Sequence, residues 1–413
     1  MALLLVALLL LSNALGQLCE PRSHATYLAI GQDLQSISIY SKRYRNPAAI
    51  MSYTNLSSLN GLTTPVDYGS GIEFAEGGVE SFDNKIGLQL AVDLGGDEGC
   101  TKIVNGTMDD RIALLVEFLR DTSASRVFLR LGYEFDNPQF NYHNPKLFKS
   151  AFVRISKAIS EDSFLQNYTQ NKKVLTVYHS FGQLNAGRFG GDKGRELDAY
   201  FPGDEWVDWV GVSLFKAPFP WLNNKNPPTT SPESFYYASV VASFSKNHKK
   251  PFMIAESSPW GGVAKKITFH GGSIWDNWYE PVLEFIEAHN VQLWSYISSD
   301  WDSFKMWKDV GFGDSRLTTN EEVERFWDVK VVNNNNKFKR RFLQEDSLRN
   351  CGQTGFQLFG EYRSTGEVVA FASPLIFLFF VVCFILVRRT LCGKRSGYRK
   401  IEIDEGVWYV EKR

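Results

Sequence analysis

Two stretches decide how this chain folds: Arg126-Val-Phe-Leu-Arg-Leu-Gly-Tyr-Glu134-Phe-Asp136 and Pro251-Phe-Met-Ile-Ala-Glu256-Ser-Ser-Pro259. Each is a short apolar run of the kind that forms a strand buried on both faces, and each ends on a glutamate. A carboxylate is costly to bury without a partner, so packing alone gives a core strand no reason to finish on one. Working outward, six more runs share this character: Thr26–Ile30, Ala48–Tyr53, Gly87–Leu94, Val174–Tyr178, Trp206–Ser213 and Val291–Ile297. Together with Arg126–Leu131 and Phe252–Ala255 they predict eight strands.

Helical patterns fall between several of them. Asp109-Asp110 reads as the cap of Arg111–Arg120, whose Ile112, Leu115, Val116 and Leu119 form one stripe. Pro145 suits the first turn of a helix running to Ile159, Ser231-Pro232-Glu233 opens another, and Trp275–Ala288 precedes the last strand. The alternation predicts an α/β fold of right-handed βαβ units closing into a (β/α)8 TIM barrel over residues 17–330. Residues 56–84 are Gly-rich and poorly patterned, which leaves the second unit the least defined. No internal repeat or second folded domain is visible.

In such barrels chemistry sits on the loops at the C-terminal rim. Glu134 ends the fourth run and Glu256 the seventh. Two carboxyls on one rim are what glycoside cleavage needs, one as proton donor and one as nucleophile. Side chains alternate along a strand, so Phe128, Arg130 and Gly132 share the inward parity of Glu134. Arg130 would then lie beneath the site and hold the second carboxylate ionised, while Gly132 would leave room for a ligand.

The local strings resemble glycoside hydrolase family 26, a clan A family of endo-β-1,4-mannanases and related β-glucanases and xylanases. Arg130-Leu-Gly-Tyr-Glu134-Phe is similar to its Arg-x-x-His-Glu acid/base motif. Tyr200-Phe-Pro-Gly-Asp-Glu-Trp-Val-Asp-Trp-Val-Gly211 is similar to its sixth-strand signature, and Pro251–Glu256 to its nucleophile strand. The resemblance spans roughly residues 25 to 330 and implies a retaining hydrolase of β-linked polysaccharide with Glu134 as acid/base and Glu256 as nucleophile. Two positions depart from the pattern: Tyr133 replaces the substrate-touching His, and Phe215 replaces a Tyr that bonds the nucleophile. A catalytically inactive glycan-binding barrel is the alternative these departures favour.

Sugar rings pack their C–H faces on aromatic rings. Trp294, taken as inward on the eighth strand, resembles the aromatic floor of the subsite next to the scissile bond, and Trp260 and Trp301 are further platforms. Tyr133, His179, Asp136 and Tyr142 complete the expected cleft, with His179 reaching a substrate hydroxyl. No phosphate loop, His/Cys metal spacing or Gly-x-Ser-x-Gly elbow occurs, so no cofactor or metal is expected. Gly95-Gly-Asp-Glu-Gly99 reads as an acidic turn.

The ends of the chain predict its compartment. Residues 1–16 read as a signal peptide cleaved before Gln17. Val368–Val387 is an uncharged run of 20 residues followed by Arg388, Arg389, Lys394 and Arg395. That is the length of a membrane span with a cytosolic tail, 388–413, on its basic side. The expected product is a single-pass type I protein, cell-surface or endolysosomal, with its barrel outside the cytosol. Asn55, Asn105 and Asn167 are glycosylation acceptors, and Cys19, Cys100 and Cys351 are open to one disulfide in any of three pairings. Residues 331–367, with the Asn333–Asn336 run and the basic Lys337–Arg341, read as a protease-sensitive stalk. Tyr398-Arg-Lys-Ile401 has the form of a sorting-adaptor signal. A formal net charge of −1 argues against a nucleic-acid partner.

Overall fold

The computed structural model describes residues 24–82, 86–166, 172–182, 189–215, 233–263, 273–344 and Leu348, together with the backbone of 355–358, 361–364, 399–403 and 406–410. Eight parallel strands form its centre: β1 Ala25–Gly31, β2 Ala49–Asn55, β3 Gly87–Asp93, β4 Val127–Leu131, β5 Val174–Ser180, β6 Trp209–Leu214, β7 Phe252–Ser257 and β8 Leu293–Ile297. Neighbours in sequence are neighbours in space, and β8 pairs back onto β1 through Tyr27–Leu293 and Ala29–Ser295. All eight expected strands are present in a closed (β/α)8 barrel.

Strand alternation sorts the core into two parts. Tyr27, Ala29, Met51, Phe128, Val177, Trp209, Met253 and Leu293 fill the barrel interior. Leu28, Ile30, Ile50, Leu129, Val210 and Ile254 pack outward with helix residues such as Ile37, Leu115 and Phe152. Period-2 geometry on a closed sheet demands this split, because every strand has one face in each compartment.

The helices follow the expected stretches. Asn144 caps Pro145–Glu161 by accepting from the amides of Lys146 and Leu147. Asp109 and Asp110 lie inside the first turn of Asp109–Asp121 instead of capping it, with Met108 at the cap. Asp109 turns instead to Arg154 on the neighbouring helix, at 2.7 Å. Trp275–Ala288 is one π turn running into the helix Glu280–Ala288. The poorly patterned second unit holds a two-residue ladder, Val66–Asp67 against Ile72–Glu73, and the helix Ala75–Glu80.

The start of the expected stalk is folded. The π turn Asp328–Val332 buries Val331 and Val332, and Arg341–Leu343 pairs in parallel with Ala25–Tyr27 of β1. Arg340, inside the basic run, is 2% exposed. It donates to Thr26 Oγ1 at 2.7 Å, Val291 O at 2.7 Å, Ala25 O at 3.2 Å and Asn290 Oδ1 at 3.1 Å, and pairs with Glu287 at 3.0 Å. Arg340 therefore fastens this segment across the ends of β1 and β8.

Beyond it, the second compact unit, 353–413, contains two antiparallel ladders, 355–358 with 361–364 and 399–403 with 406–410. The expected signal peptide 1–16 and expected membrane span 368–387, together with Asn167, Cys19 and Cys351, lie outside the described residues. Among the described residues no helix is long and apolar enough to cross a membrane. Cys100 is a free, fully buried thiol, pushed up to about 12 by burial. Asn105 is exposed, whereas Asn55 is half-buried with its amide nitrogen on Tyr68 at 3.2 Å.

Replacing Arg340 with Ala removes a buried donor to Thr26 Oγ1, Ala25 O and Val291 O and the arginine partner of Glu287. Urea unfolding is expected to show a loss of about 2–4 kcal/mol, with a lower midpoint and an unchanged slope.

Candidate active site

Glu134 does not stand on a strand. Past Leu131 the backbone turns left-handed at Gly132, φ 56°, and again at Glu134, φ 51°. A non-glycine residue there carries strain that persists only where its surroundings enforce it, and such residues gather at functional sites. The turn is locked by Asn137, whose amide donates to Glu134 O at 2.8 Å and whose Nδ2 donates to Oε2 at 2.8 Å. Contrary to the expectation from its parity, Gly132 opens no ligand space. A Cβ there would stand 2.6 Å from Phe148 Cε2, so the position is closed by the helix Pro145–Glu161.

Glu256 reaches the site by a different device. By simple alternation it belongs with Phe252 and Ile254, which face the helices. The β6–β7 register shifts between Val212–Ile254 and Ser213–Glu256, leaving Ala255 as an extra residue. This bulge turns Glu256 inward. Gln89, pointing in from β3, donates to Ala255 O at 2.6 Å and accepts from Ser295 Oγ at 2.6 Å, so the displaced carbonyl is satisfied.

Inside the barrel Arg130 is fully buried and its Nη1 pairs with Glu256 Oε1, the arrangement expected from its parity. Its guanidinium also lies 5.1 Å from the ring of Tyr53 and 5.5 Å from that of Tyr133. Nη1 reaches His179 Nδ1 at 3.4 Å, and His179 Nε2 lies 3.0 Å from Ser213 Oγ. Ser213 Oγ in turn donates to Glu134 Oε1 at 2.5 Å. A continuous polar chain thus joins the two glutamates.

Their electrostatics differ. Burial, then the nearby charge of Glu256, raises the Glu134 carboxyl to about 8, against opposing bonds from Ser213 and Asn137. Burial and the charge of Arg130 hold the His179 imidazole well below its usual range, so it is neutral. One carboxyl that is a proton donor near neutrality beside one paired with an arginine is an acid–base constellation.

Several expected cleft residues sit elsewhere. Trp294 faces outward: its register partners are Leu28 and Ile254, its ring packs on Trp327 at 5.2 Å, and its indole N–H meets Ser257 Oγ at 2.9 Å. It cannot floor a subsite. Asp136 is buried against Lys193, Ser180 Oγ at 2.5 Å and the Phe181 amide at 2.6 Å, tying the loop after β4 to the end of β5. Tyr142 is buried too, donating to Asp93 at 2.9 Å. His179 is fully buried below the rim and spends both ring nitrogens on protein partners, so no substrate hydroxyl reaches it. Trp301 is 3% exposed and stacks on Phe312 at 4.8 Å.

Tyr133 and Trp260 remain accessible. Tyr133 stands edge-on to Tyr53 at 5.6 Å and Phe140 at 4.8 Å. Trp260 is half-exposed, with its ring 4.6 Å from Phe312. Phe215 packs on Phe312 at 5.4 Å and offers Glu256 no donor. Sequence reading missed Ser213, Asn137, Tyr53 and Phe312. Ser213 had a signal: it is a polar residue on the inward face with Trp209 and Gly211, at the C-terminal end of its strand.

A carboxyl held protonated in the fold but not in the unfolded chain adds stability that is complete below about 4.3 and lost as pH rises through about 8. Wild-type stability should therefore fall between those limits, and Glu134→Gln should flatten the decline. Urea midpoints at pH 5 and pH 9 check this.

No family model matches the chain. A β-1,3-xylanase, TXYA, from Vibrio sp. is 27% identical over 326 residues, covering 73% of this chain and 63% of the relative. A β-1,3-xylanase from Alcaligenes sp. is 26% identical over 332 residues, covering 74% of this chain and 63% of the relative. The chain thus spans less than two thirds of the length of these relatives. Among solved structures, a modular family 26 endo-β-1,4-mannanase from Cellulomonas fimi superposes with a TM-score of 0.50 at 11% identity, over 81% of this chain and 78% of that one, a likeness of fold. In sequence the chain is thus similar to β-1,3-xylanases, and in fold to a family 26 endo-β-1,4-mannanase.

Proposed function

We propose that the barrel is a retaining glycoside hydrolase that cleaves β-linked polysaccharide by double displacement. The observation that carries this reading is the pair of unlike glutamates at the barrel mouth, one raised to about 8 and one on Arg130. Retention needs the carboxyls roughly 5–5.5 Å apart. Glu256 attacks the anomeric carbon while Glu134 gives its proton to the leaving oxygen. Water then attacks the glycosyl-enzyme as Glu134 takes its proton, regenerating both groups.

Tyr133 and Trp260 are accessible aromatic rings that can take sugar faces. Family 26 resemblance favours β-1,4-mannan or a related glucan or xylan, and the names of the two relatives add β-1,3-xylan. We further place this domain outside the cytosol on a single-pass anchor, from the uncharged run 368–387 and the basic residues after it. Phe215 favours a second reading, a glycan-binding barrel without turnover, because it leaves Glu256 without the hydroxyl donor of the family pattern.

Reducing-sugar release from a panel of mannan, mixed-linkage β-glucan, β-1,4-xylan and β-1,3-xylan decides between the readings: binding with no release supports the second. On a cleaved substrate, Glu256→Ala should abolish turnover and azide should restore it as the α-glycosyl azide. Glu134→Ala should lose about 10²–10⁴-fold on polymer while sparing aryl glycosides with good leaving groups. Equal losses on both would contradict the assigned roles. Activity should fall above pH of about 8, where Glu134 has no proton to give.

A further inference from the structure

The polar chain between the two glutamates has a direction. Arginine only donates, so His179 Nδ1 must accept from Arg130 Nη1. A neutral imidazole that accepts at Nδ1 carries its hydrogen on Nε2, which then donates to Ser213 Oγ. The Ser213 hydroxyl has one hydrogen, and with a donor on one side its hydrogen goes to Glu134 Oε1. Every link is fully buried or nearly so, with Arg130 and His179 at 0% and Ser213 at 4% exposure, so water does not scramble the order.

We propose that Ser213 and His179 are positioning residues: a one-way hydrogen-bond bridge from Arg130 that aims a hydroxyl hydrogen at Glu134 and couples its protonation to the arginine holding Glu256. This rests on the acid/base reading of Glu134 but adds two residues from β5 and β6 that touch no substrate. The bridge opposes burial. A hydroxyl fixed as donor favours the ionised carboxylate, so Glu134 can recover its negative charge after giving up its proton. Other groups face Glu134 as well: Glu256 from β7 and Asp136 on its own loop push its proton affinity up, and Asn137 pulls it down. Lys193 covers Asp136. The bridge is the pull on Glu134 that comes from outside its own loop through a serine.

The test is a carbon-13 carboxyl titration of Glu134 in the full chain, assigned with Glu134→Gln, beside the pH profile of kcat/KM on an aryl glycoside. Ser213→Ala should raise the Glu134 midpoint by about one pH unit and move the alkaline limb by the same amount. Ser213→Thr, which keeps the hydroxyl, should restore both. His179→Leu should also raise the midpoint, whereas His179→Gln, which can accept from Arg130 and donate to Ser213, should restore it. If Ser213→Ala does not fold, Ser213→Cys keeps the volume with a weaker donor and should shift the midpoint the same way. A midpoint in Ser213→Ala equal to the wild type overturns the bridge, even if the enzyme is active. A raised midpoint in a protein that hydrolyses no glycan upholds the bridge and overturns the hydrolase reading instead.

Discussion

The buried ion pair between Arg130 and Glu256 is the constraint from which the site follows. A guanidinium buried inside a barrel is tolerable only with a carboxylate and further acceptors around it. Glu256 supplies the charge, His179 the second acceptor, and the rings of Tyr53 and Tyr133 their negative faces. That demand fixes the positions of four side chains, from three other strands and the loop after β4. It also explains why β7 carries a bulge: without the extra Ala255, the carboxylate would point at the helices and the arginine would have no counter-ion.

The same logic separates the two glutamates. Glu256 approaches from the interior and finds a cation. Glu134 approaches from a left-handed turn above β4 and finds only neutral donors, Ser213 and Asn137. Burial without a cation raises the proton affinity of Glu134. Two residues of one type thereby meet unlike surroundings, one an arginine and the other only neutral donors, a division set by which layer of the barrel each one enters.

The fold was largely legible from the chain, and the site was legible in part. Eight runs of β-branched and aromatic residues identified the strands to within a few positions, because a sheet covered on both faces leaves a continuous apolar signature. Parity placed Arg130 correctly, since β4 is regular up to Leu131. It failed wherever the backbone leaves ideal geometry. Gly132 closes on Phe148, and Glu134 lies beyond the strand altogether. Trp294 was assigned to the wrong face from resemblance, although its register with Leu28 and Ile254 puts it among the helices. Asp136, Tyr142 and His179 looked like cleft residues because polar groups near a rim suggest function. Their burial against Lys193, Asp93 and Arg130 shows polar groups satisfied inside the fold.

By itself the sequence determined the barrel, the two rim glutamates and the arginine beneath them, because hydrophobic patterning and the cost of burying charge are local properties of the chain. Only the tertiary structure decided that a bulge at Ala255 delivers Glu256, that a strained turn delivers Glu134, and that Arg340 anchors what looked like a stalk. Those depend on which distant residues meet: Gln89 on the Ala255 carbonyl, Asn137 on its own turn, Glu287 on Arg340. Register and backbone irregularity are set by contacts across the sheet, and no periodicity along one strand encodes them.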